Sequence, residues 1–125
     1  MRILCGTDII EISRVEKSIN NTNGRFIKDI YTKKEIEYCE NRGQAKYQHY
    51  AARFAAKEAL FKAISEFLND KYEVSWQNAQ IINDENGKPH IEFIDVEFPQ
   101  IESIDISISH SKEYAVAQVV LLCKE

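Results

Sequence analysis

The chain has 125 residues, enough for one compact domain with a real apolar core and too few to divide into two. A hydrophobic fraction of 44% and a charged fraction of 29% are ordinary for a globular protein, and four glycines and two prolines leave little room for linkers. The net charge of −4 argues against general nucleic-acid binding, which depends on neutralising phosphates with Lys and Arg, so any phosphate site must be local.

In chain order, "RILCGTDIIEI" reads as a strand with Leu4, Gly6, Asp8 and Ile10 on one face, which sets an acid on an otherwise apolar surface. "SRVE" (Ser13 to Glu16) has capping-box form and predicts a short helix that runs out by the "NNTNG" loop at 20–24. A second box, "TKKE" (Thr32 to Glu35), opens another short helix that Gly43 closes. From Lys46 to Leu68 an uninterrupted run rich in Ala, Leu, Lys and Glu predicts the longest helix. The character then turns to β. "VSWQNAQII" and "HIEFIDVEF" flank a turn signalled by Asn86-Gly87, with Pro89 suited to a strand's first residue or to an edge. Ile104, Ile106 and Ile108 alternate with Asp105, Ser107 and Ser109, and after "HSKE" the chain returns as "YAVAQVVLL". Helices and strands are segregated, which predicts an α+β fold with a mainly antiparallel sheet packed on one long helix and shorter ones, as one domain over 1–125.

No apolar run reaches the ~20 residues that span a bilayer, and Met1 leads straight into a strand with no signal-peptide pattern; a cytoplasmic protein without membrane association is expected. Cys5, Cys39 and Cys123 form no C-x-x-C pair and read as reduced or buried thiols. His49, His90 and His110 lack ligand-like spacing, which disfavours zinc. No Walker A, G-x-G-x-x-G or G-x-S-x-G motif is present.

The long helix, "RFAAKEALFKAI" at its centre, carries charges at informative places. On a wheel of about 100° per residue its apolar residues cover about half the circumference. Arg53 and Lys57 fall inside that arc, Glu58 just past its edge, and Lys62 one turn beyond Glu58. Read locally, Glu58 and Lys62 form a surface ion pair, Arg53 snorkels, and Lys57 snorkels or makes a subunit contact. Asp8 supplies a competing reading, because an acid on an apolar face needs a partner. Asp8 and Glu58 together suit Mg²⁺, which takes a few carboxylates and completes its shell with water and substrate phosphates. If phosphate is the ligand, Arg53, Lys62, His110 and Ser111 are suitable donors.

Taken together, "GTDIIEISRVEK", "YAARFAAKEALFKAI", "NGKP" and "ISISHSKEYAVA" resemble the holo-acyl-carrier-protein synthases, the small bacterial 4′-phosphopantetheinyl transferases, over essentially the whole chain. The resemblance implies transfer of the phosphopantetheine arm of coenzyme A to a serine of apo acyl carrier protein in fatty acid biosynthesis, with Mg²⁺ as cofactor. It implies Asp8 and Glu58 as metal ligands and Lys62 beside the transferring phosphoryl group. Arg53, His110 and Ser111 match positions near the coenzyme A phosphates, with Ser111 where threonine is common, and Gly87, Lys88 and Pro89 match the turn that borders the nucleotide. The general base stays open between Glu58 acting through a water and His110, whose imidazole type titrates near 6.5. The basic stretch from Arg14 to Lys34, with Arg14, Arg25, Lys28 and the apolar Phe26, suits an acidic carrier protein. The resemblance also implies a homotrimer with its sites between subunits. The alternatives from other classes are a non-catalytic module that docks the carrier and a Mg²⁺-dependent nucleotide pyrophosphatase.

Overall fold

In the computed structural model, which describes residues 1–70 and 73–124, the opening alternation becomes strand β1 (Arg2–Glu11). Leu4, Gly6, Asp8 and Ile10 face inward, while Ile3 and Ile9 on the other face stay 70% and 63% exposed. The chain continues through helices α1 (Ile12–Asn20), α2 (Arg25–Ile30), α3 (Lys33–Glu40) and α4 (Lys46–Ala63), then strands β2 (Ala79–Asn83), β3 (Pro89–Phe93), β4 (Ile101–His110) and β5 (Tyr114–Cys123). β5 lies between β1 and β4, antiparallel to both, and β2 and β3 form a separate antiparallel hairpin. The expected α+β class and antiparallel pairing hold, with two sheets rather than one.

Several boundaries differ from expectation for identifiable reasons. α1 does not start on the Ser13 capping box: β1 pairs with β5 as far as Glu11 opposite Tyr114, and the Ile12 N–H donates to the Glu113 carbonyl (2.9 Å). The strand ladder runs directly into the helix, so Ser13 lies inside the first turn rather than ahead of it. The box at Thr32 does form, but α3 ends at Glu40, before Gly43, which sits in a 3₁₀ turn at φ 59°. α4 stops at Ala63, and Ser65–Phe67 follow as a 3₁₀ turn. The first β segment begins only at Ala79, because Trp76–Asn78 make a 3₁₀ turn locked by reciprocal bonds between Ser75 and Asn78. α2, a six-residue helix, carries no strong sequence signal.

α4 is the spine. One cluster packs Ala55, Ala56, Ala59, Leu60, Ala63 and Ile64 against Ile81, Ile106, Ala117, Val119 and Leu121. A second joins Ala51 and Ala52 to Ile12, Val15 and Ile19 of α1 and to Ile30, Tyr31 and Cys39. Fully burying residues such as Leu60 or Ile64 contributes about 1.5–3 kcal/mol each, while the alanines let the helix backbone approach the sheet closely. The tightest approach is at Gly6, where an added Cβ would lie 2.0 Å from the Ala59 carbonyl oxygen and 2.9 Å from the Ala63 nitrogen. Both are backbone atoms that cannot swing aside. Gly6→Ala is therefore expected to cost about 3 kcal/mol or more, read as a lower urea midpoint, and to disable the site beside it.

Lys57 neither snorkels nor reaches the surface. Its ammonium, 0% exposed, lies 2.7 Å from Glu35 Oε1 and donates to the carbonyls of Ile30 (2.7 Å) and Trp76 (3.0 Å). The Glu35 carboxylate also accepts from the backbone N–H groups of Thr32 and Ile81, both at 2.8 Å. Burial pulls the Lys57 ammonium below its usual value, and Glu35 pushes the other way. With four hydrogen-bonded partners around it, the pair is fully satisfied and ties α3, α4 and β2 together.

Candidate active site

Because Gly6 seats β1 directly on α4, the next inward residue, Asp8, comes beside Glu58 and Lys62. The Lys62 ammonium donates to Asp8 Oδ1 (3.1 Å) and to the Thr7 carbonyl (2.9 Å). Burial pushes the half-buried Glu58 carboxyl above its usual range, the charge of Asp8 pushes it further, and Lys62 opposes them. Two carboxylates that feel each other share one ammonium, so this corner keeps an excess negative charge. Among the described residues no group of three His, Cys, Asp or Glu side chains suited to holding a metal is present. The donor set is nonetheless all oxygen, anionic and incomplete, which fits a hard divalent cation that draws its other ligands from outside the chain.

Beside Glu58 opens a cleft of ≈ 720 Å³, with Phe61, Leu68, Val74 and Trp76 among its walls. Trp76 is fixed there by stacking on Phe54 (5.2 Å between centroids) and by a tilted contact with Phe61 (5.4 Å). A carboxylate corner thus borders a largely apolar trough, a combination suited to a ligand with a charged head and a long uncharged arm.

Arg53 stands elsewhere on α4. Five residues before Glu58, it lies about 140° from it around the helix. Its side chain is buried, its guanidinium over the Tyr38 ring (4.0 Å) and its Nη2 donating to Asn83 Oδ1 (2.7 Å). Arg42 covers the same ring at 4.2 Å. The buried Nε of Arg53 has no hydrogen-bond partner. His49 packs edge-on to Tyr38 (5.5 Å) and to His110 (5.8 Å), so His110 joins this cationic, aromatic group. Burial, followed by Arg53 and His110, holds the His49 imidazole below its usual value.

Asn83 links Arg53 to the β2–β3 hairpin, since its amide donates to the Gly87 carbonyl (3.0 Å). Gly87 at φ 83° is the left-handed residue this turn requires, and Asp84 Oδ1 accepts from the backbone of Asn86 and Lys88 (2.9 Å each). Lys88 extends to Asp105 (3.1 Å), and Pro89 opens β3 as expected. The Ser111 hydroxyl accepts from the backbone of Glu113 and Tyr114 (3.3 and 3.2 Å), so it stabilises the β4–β5 turn. The structure therefore gathers the expected site residues into two groups, one around Asp8 and Glu58 and one around Arg53, His110 and the Gly87 turn. Tyr38, Arg42, His49, Asn83 and Trp76 were not foreseen; of these, only the single tryptophan stands out in the sequence.

Arg14, Arg25 and Lys28 are exposed on α1 and α2, and Arg25 lies 4.0 Å from Asp29 within its own helix. Phe26 is half-buried, its ring stacked on Phe54 (5.9 Å).

The sequence model of the 4′-phosphopantetheinyl transferase superfamily matches residues 4–119. A holo-[acyl-carrier-protein] synthase of Ruminiclostridium cellulolyticum is 41% identical over 97% of this chain and 92% of its own, and one from Chloroherpeton thalassium is 42% identical over 93% and 94%. Among solved structures, the Bacillus anthracis holo-(acyl-carrier-protein) synthase in complex with CoA (3′,5′-ADP) superposes with a TM-score of 0.80 at 38% identity, covering 97% of this chain and 96% of that one. The Helicobacter pylori synthase in complex with coenzyme A gives 0.82 at 29% identity, covering 95% and 100%. With near-complete coverage in both directions, this chain belongs to the 4′-phosphopantetheinyl transferase superfamily.

Proposed function

We infer that this protein transfers the 4′-phosphopantetheine arm of coenzyme A to a serine of apo acyl carrier protein, yielding holo carrier and adenosine 3′,5′-bisphosphate, in support of fatty acid biosynthesis. The observation that carries the reading is the pairing of Asp8 with Glu58 at the mouth of an apolar cleft, in a chain of this family. Pyrophosphate calls for cations and the pantetheine arm for a largely apolar trough, and the two meet at Glu58.

Asp8 and Glu58 would hold Mg²⁺, which when bound supplies charge neutralisation on the pyrophosphate. Lys62 stands beside them to take a phosphoryl oxygen. Glu58 is the favoured general base, receiving the serine proton through a water, because it lines the cleft beside Lys62 and Asp8. His110 is the second candidate. Arg53, with its unpaired Nε, and the Gly87–Lys88–Pro89 turn would receive the nucleotide end together with His110 and Ser111. Arg14, Arg25, Lys28 and the half-buried Phe26 would dock the acidic carrier.

The two residue groups face different sides of α4, which supports sites completed between subunits. The outer face of the three-stranded sheet exposes Ile3, Ile9 and Val120 (70%, 63% and 39%), an apolar surface suited to burial in the proposed homotrimer. Three free cysteines accord with the reducing cytoplasm proposed as its location. Among the described residues no helix is long and apolar enough to cross a membrane.

Chromatography of coenzyme A incubated with the protein and Mg²⁺ tests the reaction class. Adenosine bisphosphate should appear only when apo carrier is present, should vanish with EDTA, and should return with added Mg²⁺. Release without carrier would instead indicate a pyrophosphatase, and carrier binding without release a docking module. The second acidic group that a two-metal pyrophosphatase calls for is not offered by Glu66, which is engaged by Arg2 at 2.7 Å.

A further inference from the structure

The contact between Lys62 and Asp8 has its own consequence for cation binding. The ammonium is held by two acceptors on consecutive residues, Asp8 Oδ1 at 3.1 Å and the Thr7 carbonyl at 2.9 Å, so it occupies a defined place on the carboxylate. Asp8 is the fixed member: it lies on a strand paired along its length with β5, and its side chain is only 17% exposed. Lys62, 53% exposed on the last turn of α4, is the member free to leave on its four-carbon stem. Where it sits, it offsets part of the repulsion between Asp8 and Glu58.

A divalent cation on Asp8 would lie within a few ångströms of that ammonium. Like charges at such range repel more strongly than a half-exposed ion pair attracts. We propose that Lys62 is a tethered cation that competes with the divalent metal for Asp8, so that metal entry displaces it and frees its ammonium for a substrate phosphate. This rests on the reading of Asp8 and Glu58 as metal ligands. It gives the site an order of events: metal occupancy first, release of Lys62 second, phosphate recognition third. It also means that the lysine weakens metal binding while serving the phosphate.

Calorimetric titration with Mn²⁺ alone, without coenzyme A or carrier, tests the proposal on a readout separate from turnover. Lys62→Met and Lys62→Gln should each bind Mn²⁺ more tightly than the parent, by up to about fivefold, the equivalent of losing one competing exposed ion pair. Lys46→Met removes the same charge about 24 Å away along α4 and should leave the affinity unchanged. Equal or weaker Mn²⁺ binding by both Lys62 variants, with native circular dichroism, would overturn the proposal. So would equal tightening by Lys46→Met, which would make the effect one of net charge. If the parent binds no Mn²⁺ by itself, no metal precedes the phosphate to displace Lys62 and the proposal is overturned; if Asp8→Asn binds it equally well, the metal-ligand reading itself fails and takes this proposal with it.

Discussion

Asp8→Ala and Glu58→Ala should each lower phosphopantetheine transfer by roughly 10²–10³-fold, the scale seen when a charge-stabilising group is removed from a reaction centre. Neither change should unfold the protein, because neither side chain belongs to the apolar clusters that hold α4 to the sheets. Asp8→Ala also removes the second cause of the raised Glu58 carboxyl, leaving burial as the main one. Glu58 should then titrate closer to an ordinary glutamate, which its side-chain carboxyl NMR shift would follow. Normal turnover in either variant, with a parent-like melting curve, would remove the assignment of these carboxylates to the reaction.

The second large effect concerns stability. Lys57→Met leaves the Glu35 carboxylate buried at 0% exposure without its counter-ion, and such an uncompensated charge costs about 3–5 kcal/mol. Adding Glu35→Gln removes the charge and keeps an acceptor for one of the Thr32 and Ile81 N–H groups, which donate to different oxygens of Glu35, a smaller loss than an unpaired buried charge. The double variant should therefore be more stable than Lys57→Met alone, although each single change is destabilising. Urea denaturation of the four proteins measures this as a coupling energy. Strictly additive losses would show that the pair does not act as a unit.

The sequence announced the fold where local physics decides it. The period-two pattern of β1, the Thr32 capping box and the Asn86-Gly87 turn each depend on residues near in the chain, and each forms as expected. Asp8 and Glu58 were visible as oddities, an acid on an apolar strand and another at the edge of an apolar helix arc. What was not legible depends on distant partners. Ser13 has the chemistry of a cap but loses to the β1–β5 ladder. α2 is too short to declare itself and is held by Phe26 packing on Phe54 and Tyr31. Glu35 reads locally as the third residue of a capping box, and nothing nearby reveals that it also receives Lys57 from another helix. Arg53 has the composition of a phosphate ligand, yet only the folded chain shows it stacked on Tyr38 and tied through Asn83 to the hairpin.

The central claim is group transfer to a protein acceptor, and the intact mass of the carrier reads it directly. Apo acyl carrier protein incubated with this protein, coenzyme A and Mg²⁺ should gain the mass of one phosphopantetheine, and a carrier whose acceptor serine is changed to alanine should gain nothing. An unchanged mass for a carrier shown beforehand to be apo and competent would contradict the account.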